Sequence, residues 1–170
     1  MSLATVNPYS AETVWTTKHW DAAQIEAALA GTAAATPAWA ARPVAERCAL
    51  LRRAAAVLRE RSAEWAGLIT LEMGKLTREA RAEVEKCALG CDYYAEHGPA
   101  FLADEVIASD AGRSLVAYQP LGTVLAIMPW NFPFWQVFRF AAPSLTAGNT
   151  AVLKHASNVP QCALAIERVF

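Results

Sequence analysis

Thr123-Val124-Leu125-Ala126-Ile127-Met128-Pro129-Trp130-Asn131-Phe132-Pro133 decides the fold of this chain. Its first six residues form a short apolar run, bounded by the turn residues Gln119-Pro120-Leu121-Gly122 before it and Pro129 after it. A run of that length and composition predicts a strand buried on both faces, as in a parallel sheet. Downstream, residues 134–146 predict a helix closed by Gly148-Asn149, and residues 150–153 a second short strand. Pro160 opens a last helix that carries no stop signal before Phe170. Strand, helix, strand, helix is the opening of a doubly wound α/β unit. Two parallel strands do not make a stable sheet, so the sequence reads as the opening segment of a larger protein.

Upstream the periodicity is helical. Asn7-Pro8-Tyr9-Ser10 predicts an extended entry and a turn. Asp21 followed by Gln24 is a capping box, opening a helix that Pro37 is expected to stop. Pro43 suits the first turn of a second helix with Leu50, Leu51, Ala54 and Leu58 on one face. Ser62 is expected to cap a third, with Trp65, Leu68, Ile69 and Met73 inward and Gly74 as its stop. A fourth runs from Thr77 to Gly98-Pro99, with Ala80, Val84, Cys87, Cys91 and Tyr94 in its apolar stripe. Arg78, Glu79, Arg81, Glu83 and Glu85 are expected on its solvated face. Ser114 to Tyr118 reads as a further strand.

Composition narrows the function. With 55% apolar and 18% charged residues in a chain of 170, extended disorder is excluded. The 37 alanines against 8 glycines favour helix over an all-β fold. Lys plus Arg total 15 and Asp plus Glu 16, which gives no electrostatic footprint for nucleic acid or an anionic membrane. No apolar run reaches the length of a membrane span, and residues 1–10 do not read as a signal peptide, so a cytoplasmic protein is expected. Cys48, Cys87, Cys91 and Cys162 lie in apolar, helical stretches and read as reduced thiols. Cys87 and Cys91 share a helix face, but without a second Cys/His pair they read as core residues and no metal site is expected.

The chemistry concentrates in Pro129-Trp130-Asn131-Phe132-Pro133, between a strand end and a helix start, where α/β proteins place ligands. Two prolines pre-set the backbone around Asn131, whose amide offers N–H donors where negative charge could develop. The alternative is that Trp130 and Phe132 are core aromatics and Asn131 caps the next helix.

Leu121 to Pro133 resembles the signature of the NAD(P)-dependent aldehyde dehydrogenase superfamily. Asn7-Pro8, Leu71-Glu72-Met73-Gly74-Lys75 and Ala147-Gly148-Asn149-Thr150-Ala151-Val152-Leu153-Lys154 resemble further segments of that family in the same order. Cys91 to His97 and Lys154-His155-Ala156 are most similar to the succinate-semialdehyde dehydrogenase branch of bacteria. The resemblance implies the N-terminal part of an aldehyde dehydrogenase-like α/β fold. Residues 1–101 would be the helical start of the coenzyme-binding domain, 102–120 a strand segment joining subunits of a homo-oligomer, and 121–170 the first strand-helix-strand-helix of the Rossmann-like sheet.

It also implies a mechanism. A cysteine thiolate attacks a small aldehyde, the Asn131 amide stabilises the resulting oxyanion, hydride passes to NAD or NADP, and a glutamate-activated water hydrolyses the thioester. The family's nucleophile and base have no match among these residues, so the segment alone is expected to be inactive. There is no Gly-x-Gly-x-x-Gly. In the family's arrangement Met128, Trp130 and Asn131 would line the nicotinamide side, while Lys154, His155, Ala156 and Ser157 would meet the adenosine ribose. Ser157 stands where glutamate is common, which removes a carboxylate that would repel a 2′-phosphate and so allows NADP. Lys154 could instead be a solvated strand-end lysine, and Met128 and Trp130 core residues. Arg139, set among aromatics, would grip the far carboxylate of succinate semialdehyde; its alternative is a snorkelling or ion-paired arginine. Phe140 departs from the lysine common there. The competing functional reading is a short non-catalytic relative that binds a nucleotide or a partner subunit.

Overall fold

The structure, a computed structural model, describes residues 2–170. The turn at Asn7–Ser10 joins two strands that the periodicity did not reveal: β1 (Ser2–Val6) and β2 (Thr13–Lys18) pair antiparallel, with a bulge between Thr5 and Val6. Asn7 builds the turn, its Oδ1 accepting from the Tyr9 N–H at 2.9 Å.

Four helices follow. In α1 (Ala22–Ala40) the capping box forms as expected: Asp21 Oδ1 accepts from the Gln24 N–H at 2.8 Å, and Gln24 Oε1 from the Asp21 N–H at 3.0 Å. Pro37 does not stop this helix. Its last turn is anchored from outside, where Trp39 Nε1 donates to the Leu145 carbonyl. Pro43 precedes α2 (Val44–Glu60), and Gly74, at φ +76°, ends α3 (Ser62–Met73) in the left-handed conformation that glycine tolerates. Ser62 makes no capping bond.

The long helix α4 (Thr77–Phe101) runs through Gly98-Pro99 rather than ending there. Pro99 has no N–H for the Ala95 carbonyl, and Arg52 Nη2 supplies the missing donor at 2.9 Å. Gly98 is required by packing, since any Cβ there would collide with the Thr146 methyl. Glu83 is buried at 4% exposure, not solvated.

The expected strand at 114–118 shrinks to a two-residue pairing of β3 (Glu105–Val106) with β4 (Leu115–Val116). The α/β unit forms as read. β5 (Thr123–Met128) and β6 (Thr150–His155) are parallel, with Thr123 opposite Thr150 and Met128 opposite His155, and α5 (Trp135–Thr146) crosses between them. α6 (Pro160–Glu167) ends three residues short of Phe170. β5 is not buried on both faces: Ala126 is enclosed, whereas Leu125 and Ile127 are 60% and 68% exposed.

One core joins the helices to this unit, with Leu51, Leu58, Trp65, Ile69, Val84 and Cys87 packing with Phe134, Phe138, Val159 and Ile166. Phe134 sits 6.2 Å from the Trp65 ring and 6.4 Å from Phe138, so the residue that ends the proline-rich loop is also a core anchor. No described helix is long and apolar enough to cross a membrane.

The helical layer supplies carboxylates to the starts of α5 and α6. Glu72 of α3 accepts from the Gln161 and Cys162 N–H groups of α6 at 2.9 and 2.8 Å. Removing it leaves two amides of a buried helix start without partners. Glu72→Ala is expected to cost about 2–3 kcal/mol, read as a lower thermal midpoint. An unchanged midpoint would show that water replaces the carboxylate.

Candidate functional site

The site lies at the carboxyl ends of β5 and β6. Pro129 ends β5, and residues 130–132 form a bend before the first turn of α5. Trp130 and Phe132 are about half exposed, which overturns the core-aromatic alternative for both. Asn131 is exposed, and its side-chain amide bonds to nothing among the described residues. It does not cap α5. That role falls to Glu83, whose Oε1 accepts from the Phe134 and Trp135 N–H groups at 2.9 and 3.0 Å.

Glu83 is in turn ion-paired with Lys75, from the connection between α3 and α4. Lys75 Nζ also donates to the Asn131 carbonyl at 3.1 Å and lies 3.8 Å from the centre of the Phe132 ring. A third hold comes from β6. The His155 Nδ1 accepts from the Ala156 N–H at 2.8 Å, which leaves the proton on Nε2 to donate to the Pro133 carbonyl at 2.8 Å. Both ring nitrogens of His155 are therefore spent inside the chain. Sequence reasoning missed Lys75 and Glu83 as parts of this site. Glu83 carried a signal, because it lies three residues after Ala80 and four before Cys87, on the apolar stripe itself.

Lys154, His155, Ala156 and Ser157 line a cavity of about 790 Å³ between β6, α6 and the β1–β2 hairpin. Lys154 and Ser157 are exposed, and Lys154 has no ion-pair partner among the described residues. Met128 is half-buried and packs against the core at the end of β5. Arg139 is exposed rather than set in an apolar interior, and needs no buried counter-charge. The four thiols are free and buried. Burial, with Asp92 adding to it, pushes Cys91 up to about 12, and burial also raises Cys48, Cys87 and Cys162, so none is a thiolate nucleophile at neutral pH.

The unit is a parallel β-α-β-α with Asn131 after its first strand, at the strand ends where α/β proteins bind ligands, and its sequence carries no Gly-x-Gly-x-x-Gly. The profile of the aldehyde dehydrogenase family matches residues 1–170, and the chain belongs to that family. A probable succinate-semialdehyde dehydrogenase (NADP+) of Synechocystis sp. is 54% identical over 170 residues, all of this chain and 37% of that protein. A succinate-semialdehyde dehydrogenase (NADP+) of Deinococcus radiodurans is 50% identical over 167 residues, 98% of this chain and 35% of that protein. Among solved structures, the succinic semialdehyde dehydrogenase of Streptococcus pyogenes in complex with NADP+ superposes with a TM-score of 0.94 at 34% identity, covering 98% of this chain and 37% of that one. The chain thus spans little more than a third of the relatives it matches.

The tautomer of His155 can be tested. Burial lowers its pKa below the ordinary 6.5; the Pro133 bond opposes that, Lys154 adds to it and Glu83 opposes it. As pH falls, the unfolded chain takes up this proton first. The stability His155 contributes is therefore complete above about pH 6.5 and is lost as pH drops through the folded value. An NMR titration of its C2 proton in the folded protein is expected to give a midpoint below 6.5. A midpoint at or above that would mean a solvated imidazole with no fixed tautomer.

Proposed function

We propose that these residues form the oxyanion-stabilising and cofactor-facing part of an NADP-dependent succinate-semialdehyde dehydrogenase, oxidising succinate semialdehyde to succinate. The observation that carries the reading is the Asn131 amide. It stands free at the carboxyl end of β5 on a backbone held by side chains from the α3–α4 connection, α4 and the end of β6. Donors left unbonded on a held backbone, at the place where an oxyanion develops, are available to stabilise it. The identity to the Synechocystis and Deinococcus enzymes supports the substrate.

The cavity beside β6 fits the ribose end of a dinucleotide. Lys154 offers an exposed cation, and Ser157 offers a hydroxyl with no carboxylate to repel a 2′-phosphate. The dinucleotide, when bound, supplies the hydride acceptor. The chain's own contribution is to present the Asn131 donors and to hold the loop that carries them. Its four buried thiols do not act as the nucleophile. The exposed Val106, Ile107 and Val116 of the β3–β4 pair support a role for residues 102–120 in joining subunits. Free thiols throughout support a cytoplasmic setting.

Tests use a complete enzyme carrying this segment, either its natural reading frame or the segment joined to the remaining part of the Synechocystis relative. Arg139, exposed on α5, is assigned the far carboxylate of the substrate. Arg139→Ala is expected to raise KM for succinate semialdehyde about 10- to 100-fold, the worth of a charge-assisted hydrogen bond, and to leave an uncharged aldehyde of similar length nearly unaffected. An equal loss on both aldehydes would return Arg139 to a structural role. For the cofactor, Ser157→Glu is expected to weaken NADP binding about tenfold or more while NAD changes little. Equal changes would show that residue 157 does not face the ribose.

A further inference from the structure

The loop that carries Asn131 has little secondary structure of its own to hold it. Asn131 and Pro133 lie outside any helix or strand and take no part in the ladder that β5 makes with β6. Three side chains take up the loop's polar backbone groups instead. Lys75 Nζ donates to the Asn131 carbonyl, the Glu83 carboxylate accepts the Phe134 and Trp135 N–H groups, and His155 Nε2 donates to the Pro133 carbonyl. These come from the α3–α4 connection, from α4 and from the end of β6, so the loop is fixed from three directions. Two of the three are themselves locked. The Glu83 side chain is 1% exposed and ion-paired with Lys75, and the His155 ring is held by the Ala156 amide. Lys75 is only 12% exposed and also covers the Phe132 ring.

Such a clamp constrains the residue between its points. A carbonyl held at 131 and another at 133 fix the backbone that carries the Asn131 side chain, and with it the position from which the amide reaches. We propose that Lys75, Glu83 and His155 are positioning residues that aim the Asn131 amide at the oxyanion, acting on the chemical step only through Asn131. The proposal rests on the oxyanion role given to Asn131 above. A displacement of about 1 Å at a reacting centre can cost on the order of a hundredfold in rate, which sets the size of the effect to look for.

The decisive experiment is a double-mutant cycle in the complete enzyme, reading the single-turnover rate of reduced-cofactor formation together with KM for the cofactor. Asn131→Ala alone is expected to slow the chemical step about 100- to 1000-fold. Lys75→Met alone is expected to slow it about 10- to 100-fold with KM for NADP unchanged, and Lys75→Arg, which keeps a cation and a donor, to restore most of the rate. The double variant Asn131→Ala with Lys75→Met is expected to be no slower than Asn131→Ala alone, because a positioning residue has nothing left to position.

If Lys75→Met does not fold, His155→Phe gives the single-turnover arm of the same cycle at saturating NADP, since it removes one hydrogen bond from the loop without stranding a buried charge. KM for NADP is not read there, because His155 also lines the cavity beside β6. Multiplying losses in the double variant, or a normal rate in the single one, would overturn the clamp and leave the oxyanion role of Asn131 standing. A near-normal rate for Asn131→Ala would overturn both.

Discussion

The carboxylate of Glu83 is the constraint on which the arrangement depends. An ionised group taken out of water is costly unless every lone pair finds a donor, and this one finds the Phe134 and Trp135 amides and the Lys75 ammonium. Each of those partners belongs to a different structural task. The two amides open α5, whose Phe134 and Phe138 are core anchors. Lys75 follows the left-handed Gly74, so the turn between α3 and α4 is set by the same contact. An apolar residue of similar size would pack as well, but it would leave the start of α5 with unpaired amides and Lys75 without its counter-charge. The helical layer and the sheet unit are thus joined by polar contacts as well as by apolar area, and the asparagine loop is the segment between them.

Much of this was legible in the sequence wherever the cause was local. The Asp21–Gln24 box, the stop at Gly74 and the strand at Thr123–Met128 each depend on residues a few positions apart, and each forms where it was read. The misread positions depend on distant partners. Pro37 and Pro99 look like helix stops, yet α1 runs on to a last turn held by the Trp39–Leu145 bond, and Arg52 supplies the donor that Pro99 cannot. Gly98 looks like a terminator and is a contact with Thr146. Glu83 was assigned to the solvated face by its charge, although its spacing put it on the buried stripe. The exposed side of β5, at Leu125 and Ile127, follows from how small its sheet is, since β5 pairs with β6 alone. For the site, the motif pointed to Asn131, Lys154 and Ser157, but the residues that hold the loop lie more than 20 positions away from it and carry no pattern tied to it.

The two buried glutamates also explain an absence. A usual dinucleotide fold leaves the start of its first crossover helix open, so that its amides and the positive end of its dipole meet the diphosphate, and the glycine-rich turn serves that close approach. Here Glu83 fills that position at α5 and Glu72 fills it at α6. A diphosphate placed at either start would meet a carboxylate and find the amides already bonded. With both starts occupied there is no close approach for glycines to permit, and Pro129-Trp130-Asn131-Phe132-Pro133 can stand where the glycine-rich turn would be. An internal carboxylate thus takes the place of a ligand's phosphate in bonding the first amides of α5. A backbone held at Asn131 and Pro133 suits the oxyanion role proposed for the Asn131 amide.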